Sequence, residues 1–287
     1  VGNNPTGDRS FNGALDETRV SAAARSADWI KTQYNMQLPA NQGVPATPAS
    51  TDNSKFIKKI GYQQPYFAYR RKLTINANKV TGTHTDFPVL VNVTLDPAHV
   101  QNANGYDVGF FDQNGSPLDH ELEDYNSGTG EVVAWVRFPT LSGASDTPFW
   151  VYYGSPYVTS DPSTSSVWDA AYALVQHMDQ DPSGGAPQLA DSTANGNDGT
   201  SSGTMSTSDL VDARIGKGID FDGFDDYIRV SHDASMDATS GVTMSAWVRL
   251  ADPNADQKIV GKAEGYLLAA DTDYEFLGRT PNVVFPC

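Results

Sequence analysis

The chain has 287 residues, enough for two domains at roughly 100–200 residues each or for one large β sandwich. Glycine (25) and proline (17) together stay under the roughly 25–30% that marks low-complexity disorder, and 39% hydrophobic residues provide for a sizeable core. A formal charge of −16 repels a phosphate backbone and argues against nucleic acid as a partner, while no apolar run approaches the roughly 18 residues of a membrane helix, so no membrane insertion is expected.

In chain order, the first regular element is a helix over 27–36. Ser26 can cap its free amides, Asp28 sits at the positive end of its dipole, and Ala27, Ile30 and Tyr34 share a face. Residues 39–59 carry Pro, Ser, Thr, Ala and Asn without periodicity and read as a linker. Strand patterns follow at 69–76, 87–95, 106–112, 118–125, 131–139 and 149–154. In the second of these, Phe87, Val89, Val91, Val93 and Leu95 take every other position, which turns one face inward. Gly- and Asn-containing turns at 112–115 and 126–130 separate the strands, as does the Gly-containing turn at 141–144. A loose zone over 155–166 carries Pro156 and Pro162, and further strands are predicted at 217–221, 227–231, 242–250 and 265–270. The fold class is all-β, made of antiparallel β-sandwich or jelly-roll domains with one short helix, divided as 1–38, 60–160 and 161–287 around the linker.

Three strings carry a resemblance. Phe11-Asn-Gly-Ala-Leu-Asp-Glu-Thr-Arg-Val20, with the helix after it, resembles the closing strand and terminal helix of LamG-like, concanavalin A-type jelly rolls. Asp191-Ser-Thr-Ala-Asn-Gly-Asn-Asp-Gly199, Gly218-Ile-Asp-Phe-Asp-Gly-Phe-Asp-Asp-Tyr-Ile228 and Met244-Ser-Ala-Trp-Val-Arg249 resemble the opening of the same fold. The middle stretch, with Glu121-Leu-Glu-Asp-Tyr125 and Trp150-Val-Tyr-Tyr-Gly154, is similar to an uncharacterised β domain that precedes LamG modules in bacterial and archaeal surface proteins and occurs in some MotA/TolQ/ExbB-type proteins. The resemblance implies a jelly roll cut in two, neither part of which closes alone. An unfinished sheet exposes unpaired edges, so three routes to completion stand open: flanking modules of a longer chain, head-to-tail addition of strands between copies, or pairing of the two ends within one chain.

Asp191, Asn195 and Asp198 crowd one loop, and Asp222 and Asp225, with Asp226 beside them, crowd another. Such oxygens on flexible loops are what Ca²⁺ takes, although Asn, Asp and Gly also make ordinary turns. The resemblance adds Asp16 and implies a structural Ca²⁺ where early and last strands meet. Glu121 and Glu123 lie two apart, the spacing of a glycosidase acid and nucleophile, but Tyr125 stands where a third acid belongs, and a structural pair is expected. The five histidines have no metal spacing, and no nucleophile elbow or phosphate loop is present, so no catalytic residue is expected. Trp135, Trp150, Tyr152, Tyr153, Trp168 and Trp247 could stack on sugars or fill cores.

The single cysteine, Cys287, excludes an intrachain disulfide, and the chain opens at Val1 without a leader pattern, as expected for a processed protein or an internal stretch. The expected function is that of a secreted, extracellular or cell-surface structural and adhesive protein without catalytic activity. It would self-associate head to tail or join adjacent modules, with Ca²⁺ as a structural ion. The alternatives are a glycan-binding module of a larger adhesin or enzyme, and a periplasmic domain of a MotA/TolQ/ExbB-type system.

Overall fold

The computed structural model describes residues 12–37, 50–52, 67–238, 241–252, 255–262, 265–270 and 276–278. Its elements are β1 (Asn12–Ser21), α1 (Ala27–Gln37), β2 (Ser50–Asp52), β3 (Tyr69–Ile75), β4 (Thr83–Thr94), β5 (Val108–Asp112), β6 (His120–Asn126), β7 (Glu131–Ser142) and β8 (Thr147–Tyr153). They continue with β9 (Tyr172–Gln176), β10 (Gly199–Ser202), β11 (Leu210–Asp212), β12 (Lys217–Asp222), β13 (Tyr227–Val230), β14 (Thr243–Leu250), β15 (Gln257–Lys262), β16 (Tyr266–Ala270) and β17 (Phe276–Gly278). The fold is all-β, the strand pairs among the described residues are antiparallel, and the linker prediction at 39–59 falls mostly outside the described residues. Among the described residues no helix is long and apolar enough to cross a membrane.

The chain divides into two compact units. One joins Val1–Arg25 to Trp168–Cys287 and is here termed the split unit; the other, Ser26–Val167, is the inserted unit.

The inserted unit has a four-stranded sheet, β2-β3-β8-β5, and a three-stranded sheet, β4-β7-β6. The alternation of β4 does what its period dictates. Phe87, Val89, Val91 and Val93, with Leu95 just beyond, are buried in one core with Leu73, Phe110, Val136 and Phe149. Helix α1 belongs to this unit, which differs from its expected role as the terminal helix of a jelly roll. Its Trp29 ring lies 5.0 Å from Phe87, and the buried Thr32 hydroxyl meets His84 at 3.2 Å while accepting the Thr81 amide at 3.0 Å. Ser26 caps it as predicted, accepting the Trp29 amide at 3.1 Å. The turn into β7 requires glycine: Gly130 has φ of 76°, and a Cβ there would stand 2.0 Å from the Leu95 carbonyl oxygen.

In the split unit, β11, β12, β1 and β14 lie side by side, and β9 also pairs with β1. The core beneath holds Val20, Leu174, Ile219, Phe221 and Ile228. Strand β1 is paired along both edges. On one edge Ala14 faces Asp220 of β12 and Val20 faces Leu174 of β9; on the other, Val20 faces Met244 of β14. Strand β1 thus pairs with strands of its own chain, the arrangement of the third route. The pair β1–β9 is antiparallel with Ser21 opposite Tyr172, so the inserted unit occupies the connection of what is otherwise a hairpin.

Candidate functional site

The split unit is assembled around β1, whose Asp16, Thr18, Arg19 and Ser21 are buried. Arg25, just beyond the strand, forks onto Asp169 with two bonds of 3.0 and 2.8 Å, lies 4.7 Å from the Tyr172 ring, and donates its backbone N–H to Thr243 Oγ1 at 3.0 Å. The Ser21 hydroxyl donates to the Ala171 carbonyl at 2.8 Å, and Arg19 lies over Trp168 at 5.3 Å. Burial would pull the Asp169 carboxyl up, but the Arg25 hydrogen bond and charge, with the amides of Ala171 and Tyr172, outweigh it and hold the group below its ordinary range. These contacts clamp the two ends of the connection that carries the inserted unit.

The seam between β1 and β9 is less complete. Thr18 and Gln176 are register partners and both are 0% exposed, yet Thr18 Oγ1 and both polar atoms of the Gln176 amide meet no hydrogen-bond partner. Gly199 makes room for this amide, since a Cβ there would lie 2.6 Å from Gln176 Nε2. Register shifts interrupt β1 against β14 between Asp16 and Arg19, and against β9 between Val20 and Ser21.

The six candidate ligands fall in three places. Asp16 is buried in β1, where its Oδ2 accepts the Ile215 amide at 2.8 Å. Asp191 is the hub of its loop: Oδ1 accepts the amide N–H of Val175 and of Thr193, and Oδ2 accepts the Thr193 hydroxyl and the Asn197 amide N–H, all at 2.7–3.0 Å. Asp198 accepts the Asp191 amide, and Asn195 donates to the Tyr172 carbonyl, so this loop fastens onto β9. Asp222 and Asp225 do come together, and Asp226 completes the group, with one oxygen from each within 4.8 Å of the others. That is the one such group of three among the described residues. It sits in the turn between β12 and β13, where Gly223 takes φ of 75° and Asp222 Oδ1 accepts the Phe224 amide at 2.7 Å. Burial, with the charges of Asp222 and Asp209, raises the Asp226 carboxyl above its ordinary range, while the amides of Asp222 and Thr204 act against it. Three carboxylates so close repel one another, and a hard cation taking oxygen ligands would relieve that cost. Phe224, in the same turn, is 80% exposed.

Elsewhere the candidate groups are engaged in structure. Glu123 sits at a register shift in β6 and accepts the Trp135 indole N–H at 2.6 Å, and Trp135 itself is wholly buried. Arg70 stacks over Trp150 at 4.2 Å, Phe67 and Phe111 flank Tyr152, and Arg214 lies 5.1 Å from the Trp247 ring. Trp168 is buried against Tyr172. Asp107 is a structural residue beyond those singled out by the sequence pattern. Wholly buried, it accepts four backbone amides, those of Gln101, Asn102, Gly154 and Ser155, at 2.8–3.1 Å, tying a loop to the end of β8. No one-dimensional signal marks it, because its partners lie on both sides of the loop and nearly fifty positions onward.

A family model described as "Domain of unknown function (DUF2341)" matches residues 104–183. The matched stretch includes β5 to β8 and runs on through β9, so it crosses from the inserted unit into the split one. No curated protein and no solved structure matches the chain.

Proposed function

We infer that the protein is a non-catalytic structural and adhesive component of an extracellular or cell-surface assembly. The observation that carries this reading is the placement of β1 between β12 and β14, which joins two sandwich-like units by two chain crossings clamped by Arg25 and Asp169. A double crossing resists separation of modules better than a single linker, a property suited to a load-bearing surface. The LamG-like resemblance supports the same reading, because the strings over 11–20, 218–228 and 244–249, far apart in sequence, contribute the neighbouring strands β1, β12 and β14. The engagement of Glu123 with Trp135 favours a structural carboxylate over a catalytic one. Asp222, Asp225 and Asp226 are the residues that would hold a Ca²⁺ ion, supplying three of its six to eight oxygens and stiffening the turn that presents Phe224.

The test is surface labelling in the source organism. Antibody raised against the folded protein should stain intact cells or their extracellular matrix, and external protease should remove the signal. Staining confined to permeabilised cells would overturn the reading.

A further inference from the structure

We propose that the slot between β14 on one side and β9 with β12 on the other accepts strand β1 from a second copy of this chain, so that copies join by exchanging this strand. The proposal deepens the structural reading above and rests on it. The occupant is fixed by identity: β1 is the segment whose register, apolar face and polar neighbours already match the slot along both edges, and every copy carries it.

Three features single out β1 as the strand that leaves. It is central in the sheet, yet its connection to β9 is the inserted unit itself, which becomes a loop of roughly 150 residues whenever that unit opens. Its pairing is interrupted by register shifts on both edges. Withdrawal would also hydrate Thr18 Oγ1 and the Gln176 amide, which have no partner while the seam is closed, so each favours the open form. Neither these atoms nor the other contacts decide between closure and exchange, because the same seam re-forms in the exchanged pair. Arg25 travels with β1, and its bonds to Asp169 and Thr243 re-form whichever copy supplies the strand. The balance is therefore set by protein concentration and by the connection through the inserted unit.

Two single-cysteine variants test this, both carrying Cys287→Ser: one with Val20→Cys, the other with Met244→Cys, which are register partners across β1 and β14. Mixed under oxidising conditions after brief partial unfolding and refolding together, they should yield a disulfide-linked heterodimer that increases with concentration. A control pair, Val20→Cys with Tyr157→Cys, should yield several-fold less. Ser21→Cys with Thr243→Cys provides a second register pair, and each pair placed in one chain verifies that its geometry can close. Heterodimer no greater than the control, with the one-chain variants closing their disulfides, overturns the proposal. So does wild-type protein that sediments as a monomer from micromolar to millimolar concentration. Either result leaves the surface-labelling outcome untouched, so exchange and surface role fail separately.

Discussion

Because the inserted unit fills the β1–β9 connection, unfolding it should weaken a sheet to which it contributes no strand. While it is folded, its two ends are held where Arg25 meets Asp169, and the connection behaves as a short loop. Unfolded, it becomes a flexible loop of about 150 residues, and loop-closure entropy scaling as (3/2)RT ln n makes the change from roughly 10 to roughly 150 cost about 2–3 kcal/mol. The perturbation is Phe149→Ala: Phe149 is wholly buried in the inserted core, 5.1 Å from Phe138, and its truncation should cost about 3–5 kcal/mol. The assay is hydrogen exchange read by mass spectrometry, in urea sufficient to unfold the inserted unit of the variant but not of the wild type. Peptides spanning β12 and β14 should then exchange roughly 30- to 150-fold faster than in the wild type, the equivalent of that loop-closure cost. Unchanged protection in β12 and β14, with the inserted unit fully exchanged, would refute the topological coupling.

Four other outcomes are expected. Asp107→Ala leaves four backbone amides without their acceptor, those of Gly154 and Ser155 buried, and should lower stability of the inserted unit by about 2–4 kcal/mol, measured by urea denaturation followed through tryptophan fluorescence. Gln176→Met removes two unpartnered polar atoms from the β1–β9 seam and should raise the split unit's denaturation midpoint by the equivalent of about 1–2 kcal/mol; a fall of that size would show that the amide has a stabilising role. Calcium at a hundred times its dissociation constant should stabilise the split unit by about 2.7 kcal/mol relative to chelator, and Asp225→Ala should abolish the increment; a thermal shift matched by sodium chloride of equal ionic strength would count against the site. Burial lowers the pKa of both His84 and His120, so the fold favours their neutral forms. Their contribution is intact above the ordinary value of about 6.5 and is lost as pH falls through the lowered folded values. The urea midpoint of the inserted unit should therefore drop between pH 7.5 and 5.5, and His120→Gln should flatten that drop.

The β architecture was legible because alternation survives in single strands: the period-two face of β4 predicts the residues it gives to the core, although Leu90 between them is buried as well. The Ser26 cap was legible for a similar reason, since capping depends on neighbours within one turn. The place of α1 was not, because a helix shows its apolar face but not which sheet receives it, and the Thr32–His84 and Trp29–Phe87 contacts span more than fifty positions. The grouping of Asp222, Asp225 and Asp226 was readable as a local cluster, whereas Asp191, read from its own loop, and Asp16, added by resemblance, accept amides of their own surroundings. The Thr18–Gln176 seam has no signature in either strand. It exists only once two segments some 150 residues apart are set in register.

The central claim is that β1 fills the place between β14 on one side and β9 with β12 on the other, and methyl NMR on deuterated, methyl-labelled protein at dilute concentration tests it most directly. Cross-strand NOEs from the Val20 methyls to those of Leu174 and Met244 are the predicted result. Val20 methyls that show no such NOEs and are accessible to a soluble paramagnetic agent would contradict it.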